Sequence, residues 1–182
     1  MLRFGRGDAA AFELLYRRHE GKVFRYLERS VRNEALANDL MQEVWFAIAR
    51  NAATYQVSAK FTTWLFTIAH NRVVDAVRTS RPMDSIEAGD DSRPDGATIA
   101  DRLVADLAKE PSNALESQSE VAVVMRAVAQ LPSEQRSAFL LQAEGDLSVE
   151  EIATTTGASF ETVKSRLRYA RTKLRQLLWE YA

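Results

Sequence analysis

Residues 160–176 hold six basic side chains against a single acid. Glu161, Lys164, Ser165, Arg168, Arg171 and Arg175 recur at helical spacing, opposite an apolar stripe of Phe160, Val163, Leu167, Ala170, Leu174 and Leu177. Cations in that register meet phosphates, while first-turn side chains reach base edges in a major groove. An ordinary helix with a solvated basic face would look the same, so the segment before it matters. Ser148-Val-Glu-Glu151 has the form of a capping box and opens a short helix ending near Thr155. Gly157 is free to take positive φ and stop that helix, and Ser159 is placed to cap the next one, which runs from Phe160 to about Trp179. The small Ala153 sits where two such helices approach, and Val163 fills the angle between them. Together these features predict a helix-turn-helix that binds duplex DNA.

A second stretch, residues 61–78, suits unpaired bases. Trp64, Asn71, Asp75 and Arg78 share one face of a helix and combine a ring, an amide, an acid and a cation. Aromatic rings beside polar and basic groups stack on bases of any identity. The alternative makes Trp64 a core residue and Asp75 with Arg78 a surface ion pair. A third cluster, Asp39, Gln42, Glu43 and Phe46, lies outside the apolar Leu40/Val44/Ile48 stripe. An aromatic among acids there is either a protein-docking surface or a solvated helix face.

Enzymatic chemistry has no candidate residues. The chain has no cysteine and two histidines, His19 and His70, far apart and without a carboxylate motif. No Ser/His/Asp order, glycine-rich phosphate loop or HExxH is present. The expectation is therefore no catalytic site, no metal and no cofactor. No apolar run is long enough to span a bilayer, and the first ten residues lack the apolar core of a signal peptide, so no membrane insertion is expected.

The elements that must position these side chains are helices. In 182 residues there are seven glycines and four prolines, too few for a turn-rich β architecture. Apolar residues recur at helical spacing over 10–27, 34–50, 61–77, 121–131 and 133–143, with Asp8 a natural cap for the first. No internal repeat and no alternating β run occurs. Charge divides the chain more sharply than hydropathy. Residues 1–82 carry 13 basic and 8 acidic side chains, residues 83–120 carry 3 and 10, and residues 121–182 carry 8 and 7. The composition shifts at Arg81-Pro82, beyond which Asp, Ser, Gly and Pro dominate. The predicted architecture is all-α: a helical bundle over 1–82, a flexible acidic linker over 83–118 with a short helix near Ile99–Leu107, and a helix-turn-helix domain over 119–182.

These residues carry a resemblance. LMQEVWFAIAR (residues 40–50), FTTWLFTIAHNRVVDAVR (61–78) and TVKSRLRYARTKLR (162–175), in that order, are similar to segments of bacterial RNA polymerase sigma factors of the extracytoplasmic-function type. Residues 9–81 resemble the family's region 2 and residues 120–180 its region 4. His70 stands where an arginine is usual, and YQVSAKF (55–61) replaces a more typical loop. The resemblance implies a cytoplasmic factor that binds core RNA polymerase, through the β′ clamp coiled coil and the β subunit, and directs transcription initiation at promoter DNA. It implies that Asp39, Gln42, Glu43 and Phe46 dock on the polymerase. It implies that Lys60, Phe61, Thr62, Thr63, Trp64, Asn71, Asp75 and Arg78 hold the melted minus-ten strand. It implies that Ser159, Glu161, Thr162, Lys164, Ser165, Arg166, Arg168, Arg171 and Lys173 read the minus-35 duplex. A cognate anti-sigma factor is an implied partner, and the linker's negative charge suits a path that RNA later occupies. The alternative from the residues alone is a stand-alone helix-turn-helix repressor or activator. A regulatory protein that never touches DNA would leave the basic face of residues 161–175 unexplained.

Overall fold

Asp8 turns its carboxylate onto the backbone N–H of Ala11, 3.1 Å away, and so caps the first long helix. Asn33 caps the next in the same way, accepting from the N–H of Leu36 at 3.1 Å. Between these caps Arg32 takes the left-handed conformation, φ 55°, which ends one helix and lets the other turn back across it. In the computed structural model, which describes residues 1–80 and 116–179, every regular element is a helix. In chain order they are α1 (Leu2–Gly5), α2 (Ala9–Val31), α3 (Glu34–Arg50), α4 (Phe61–Ser80), α5 (Glu116–Ala129), α6 (Ser133–Gly145), α7 (Val149–Thr156) and α8 (Phe160–Trp179). The linker expected over 83–118 and the short helix expected near Ile99–Leu107 lie outside the described residues, apart from the first residues of α5.

The N-terminal module packs α2, α3 and α4 around Val23, Leu27, Leu40, Val44, Ile48, Leu65 and Ala69, all 4% exposed or less. Trp45 adds a ring cluster, edge-on to Phe12 at 5.8 Å and tilted against Tyr16 at 4.9 Å. The C-terminal module wraps α5 to α8 around Phe139, Ile152, Val163, Leu167, Ala170 and Leu174. Burying a Leu or Phe side chain of this kind contributes about 1.5–3 kcal/mol.

The modules are not apart. α2 lies on α6 and α4 lies on α7, so the two cores join in one contiguous apolar cluster. Tyr26 and Phe66 are fully buried at this junction. A side chain on Gly145 would meet the Phe66 ring at 3.2 Å, so glycine here permits the close approach of α6 to α4.

One expectation needs correction. Phe160, placed on the buried stripe of α8, is 42% exposed. It opens the helix one turn before Val163, the first stripe residue to be fully covered. The threonine run before Gly157 is helical through Thr156, in keeping with the end expected near Thr155. There the Thr154 and Thr156 hydroxyls donate to the Glu150 and Ile152 carbonyls at 3.0 and 2.8 Å, satisfying the polar groups that would otherwise compete with the helix.

Candidate nucleic-acid and polymerase interfaces

The turn between α7 and α8 is built as its composition requires. Ser148 and Glu151 form the reciprocal capping box at the start of α7. Gly157 closes α7 at φ 67° with open space around it, so only its backbone, not its size, selects glycine. Ser159 accepts from the Thr162 N–H at 3.1 Å and shares a 2.8 Å hydroxyl bond with Thr162. Val163 is fully buried in the angle, and Ala153 is partly buried against the same core.

Ser159, Glu161, Thr162, Lys164, Arg168 and Lys173 are exposed along α8, on the side away from its core stripe. The Arg168 guanidinium lies 4.9 Å from the centre of the Tyr169 ring, whose hydroxyl accepts from it at 3.2 Å. Three expected readers are turned inward by comparison. Ser165 is half-buried. Arg166 pairs with Glu134 of α6, and Arg171 donates to the Gln142 amide oxygen of α6 at 2.9 Å. The outward surface is thus a narrower strip than the sequence spacing implied.

On α3, Asp39, Gln42, Glu43 and Phe46 are all exposed. The Phe46 ring is 71% accessible, although an apolar ring gains nothing from water. Glu43 faces Arg72 of α4 across 3.5 Å, which ties the acid end of this surface to the neighbouring helix.

The residues expected to hold single-stranded DNA divide along α4. Asn71, Asp75 and Arg78 are exposed at its far end. Trp64 is half-buried, its ring 4.9 Å from Tyr55 and 6.0 Å from Phe61, so it is both a packed residue and a partly open one. Phe61 also meets His19 at 5.3 Å, and Thr62 is half-buried beside it. Lys60 and Thr63 are engaged by the other module. Lys60 lies 3.2 Å from the Glu151 carboxylate, and the Thr63 hydroxyl donates to the same oxygen at 2.8 Å. These contacts and the Ser148 N–H hold the Glu151 carboxyl below its usual range, the backbone hydrogen bond first.

Sequence reasoning missed three residues at the junction. Glu144 of α6 is completely buried and meets two arginines of α2. Arg25 donates to one oxygen at 2.9 Å and Arg29 to the other. The signal was an acid on the apolar stripe of Leu140 and Leu141, with two arginines four residues apart on a helix elsewhere.

His70 also lies in this seam. Its Nδ1 is 3.1 Å from the Tyr26 hydroxyl of α2 and 3.3 Å from the Ser137 hydroxyl of α6. Burial lowers its pKa below the ordinary 6.5, and Arg166 of α8 adds to the shift. His19 is lowered as well, first by burial and then by Arg18 and Lys22. Above the ordinary value neither folded nor unfolded chain binds these protons, so the histidines contribute nothing. Below it the unfolded chain takes up protons the folded chain refuses, and stability falls until pH reaches the lowered folded values. Urea unfolding should therefore show lower stability at about pH 5.5 than at about pH 7.5, and His70→Gln should flatten that dependence. An unchanged slope in the variant would remove His70 from the account.

Among the described residues no group of three or more His, Asp or Glu side chains is placed to hold a metal ion, and no helix is long and apolar enough to cross a membrane.

Comparison with known proteins covers both modules. Residues 15–82 match the family model for sigma-70 region 2 and residues 122–174 that for sigma-70 region 4. The chain is 34% identical to the RNA polymerase sigma factor CarQ of Myxococcus xanthus, over 99% of this chain and 96% of that protein. It is 34% identical to the ECF RNA polymerase sigma factor RpoE of Cereibacter sphaeroides, over 93% of this chain and 87% of that one. Among solved structures, CnrH in complex with the cytosolic domain of CnrY aligns over 98% of this chain and 94% of its own, with TM-score 0.66 and 24% identity. The sigma factor RpoE bound to the anti-sigma factor NepR from Bartonella quintana aligns over 92% and 96%, with TM-score 0.66 and 21% identity. At those identities the structural likeness speaks for the fold.

Proposed function

The chain belongs to the extracytoplasmic-function sigma factors of the sigma-70 family, and from that premise we propose how its surfaces divide the work of initiation. As a sigma factor it directs promoter-specific transcription with core RNA polymerase. Residues 1–82 bind the polymerase and open the minus-ten element, residues 83–118 connect, and residues 119–182 bind the minus-35 element. Asp39, Gln42, Glu43 and Phe46 dock on the clamp coiled coil of the β′ subunit. Lys60 to Trp64, with Asn71, Asp75 and Arg78, hold unpaired minus-ten bases. Ser159, Glu161, Thr162, Lys164, Arg168 and Lys173 meet the minus-35 duplex, with Ser165, Arg166 and Arg171 reaching it only after leaving their present partners. The factor works in the cytoplasm and is not itself a catalyst, because initiation needs binding and strand capture here while the polymerase carries the chemistry. A protein antagonist of the anti-sigma class is a further partner.

The observation that carries this reading is the presence of both matched regions in one chain, aligned over nearly its whole length with sigma factors. A stand-alone repressor would need only the second. Initiation assays with core polymerase test it. The chain should produce promoter-specific transcripts with core, and should bind promoter duplex only weakly without it. Each DNA surface is small, and in the free chain the two modules pack on each other, so they gain joint affinity only when a partner sets the spacing that a promoter requires. A tight, specific footprint by the free chain would refute this.

Within the minus-35 surface, Lys164→Ala and Arg168→Ala should weaken promoter recognition and leave core binding intact. Losing a phosphate contact lowers the salt slope by about 1, whereas losing a base contact costs about 1–3 kcal/mol and relaxes specificity at one position. Salt titrations of holoenzyme binding separate the two cases. Loss of core binding in either variant would overturn the division of roles.

A further inference from the structure

Phe160 begins the apolar stripe of α8 and yet is 42% exposed, whereas Val163, Leu167, Ala170 and Leu174 are 3% exposed or less. At about 100° per residue it stands at the edge of that stripe, on the side of the basic face, with Lys164 one turn along and Arg168 one turn further. The cap fixes its place. Ser159 accepts from the Thr162 N–H at 3.1 Å, so Phe160 is the first residue of the helix proper. Helical side chains lean toward the N-terminus of their helix, so this one projects from the end that a helix-turn-helix presents to the major groove. Ser159, Glu161, Thr162 and Lys164 beside it are all exposed and all polar. An apolar ring thus stands open to water among the residues assigned above to the minus-35 duplex.

We propose that Phe160 is a specificity-determining residue of the minus-35 surface, and that its ring reads the C5-methyl group of a thymine. The proposal rests on the role assigned above to α8, and adds what this one position selects. A phenyl ring neither donates nor accepts a hydrogen bond. In the major groove guanine presents N7 and O6, adenine N7 and N6, cytosine N4, and thymine O4 with its methyl. The methyl is the single apolar group in that set. Against it the ring and the methyl both leave water, which is favourable. Against a cytosine amino group or a guanine carbonyl the ring strips water from a polar atom and returns no bond, which is costly. Attraction to thymine and rejection of the other bases therefore act together at one base pair. The neighbours suit other edges, Glu161 a cytosine amino group and Lys164 a guanine. Because the ring is already exposed, it reaches the groove without unpacking the core.

The test uses holoenzyme assembled from the full-length chain and core polymerase, with a promoter library randomised across the minus-35 element. The natural chain should enrich a thymine at one position, and Phe160→Ala should lose that preference and keep the others. On the enriched promoter, deoxyuridine in place of that thymine removes the methyl and nothing else. Natural holoenzyme should then bind about fourfold more weakly, the worth of one buried methyl. Phe160→Ala should bind the two templates alike, and Phe160→Leu should recover part of the difference. If Phe160→Ala folds poorly, Phe160→Gln makes the same comparison with a better helix former than alanine is likened to in bulk. A purely structural role would weaken binding on every template equally and leave the methyl effect in place. No enriched thymine, or deoxyuridine bound as tightly as thymine throughout the element, would overturn the proposal. So would a methyl effect that survives loss of the ring. In each of these cases an otherwise intact minus-35 preference leaves the role of α8 standing. Indifference to the whole minus-35 sequence would instead refute that role, and the reading of thymine with it.

Discussion

Phe46→Ala should cut affinity for core RNA polymerase about thirtyfold or more while leaving the melting temperature unchanged. The ring is 71% exposed in the free chain, so its removal takes nothing from the core. Surface substitutions of that kind usually change stability by no more than about 0.5 kcal/mol. At an interface the same ring is worth far more, because central aromatic anchors that become fully desolvated cost about 2 kcal/mol or more when truncated. Asp39, Gln42 and Glu43 lie exposed in the two turns before it on the same helix, polar neighbours to an apolar anchor. Competition binding against labelled chain, with calorimetry of both proteins, separates the two terms. Phe66→Ala serves as the contrast, since that ring is fully buried and its truncation should lower the melting temperature directly. Wild-type affinity in Phe46→Ala would remove α3 from the polymerase interface and leave its acids as a solvated face.

What could be read from the chain alone was whatever local chemistry decides. The Asp8 cap, the Ser148/Glu151 box and the positive φ of Gly157 each depend on a few neighbouring residues, and each stands where the spacing put it. The apolar stripes likewise placed α3 and α8 within the bounds observed. Tertiary contacts escaped. α2 runs past Leu27 to Val31, and that extra turn carries Arg29. Nothing near Arg29 in sequence says that it will meet a carboxylate 115 positions later. Arg166 and Arg171 sit among the basic residues of α8, yet Glu134 and Gln142 of α6 draw them aside. Helical spacing gives the angle of a side chain about its own helix, and not which neighbouring helix lies across that angle. His70 shows the same limit. As an isolated histidine it had no evident role, and its place in the seam emerges only once α2, α4 and α6 are packed together.

Trp64→Ala should slow promoter opening about five- to hundredfold, because one stacking platform is worth about 1–3 kcal/mol per base. The structure sharpens what must be separated. Trp64 is half-buried against Tyr55 and Phe61, so part of the ring supports the fold and part remains open. If it acted only in packing, truncation would cost about 3–5 kcal/mol of folding stability, and the defect would be equal on every template. If its open part receives an unpaired base, the defect should fall mainly on strand opening. A template with a premelted minus-ten bubble should then recover much of the lost activity, because unstacking has already been supplied. Permanganate footprinting on duplex and bubble templates, run beside thermal unfolding of the variant, reads both terms. A collapsed melting temperature with equal defects on both templates would leave Trp64 as packing alone.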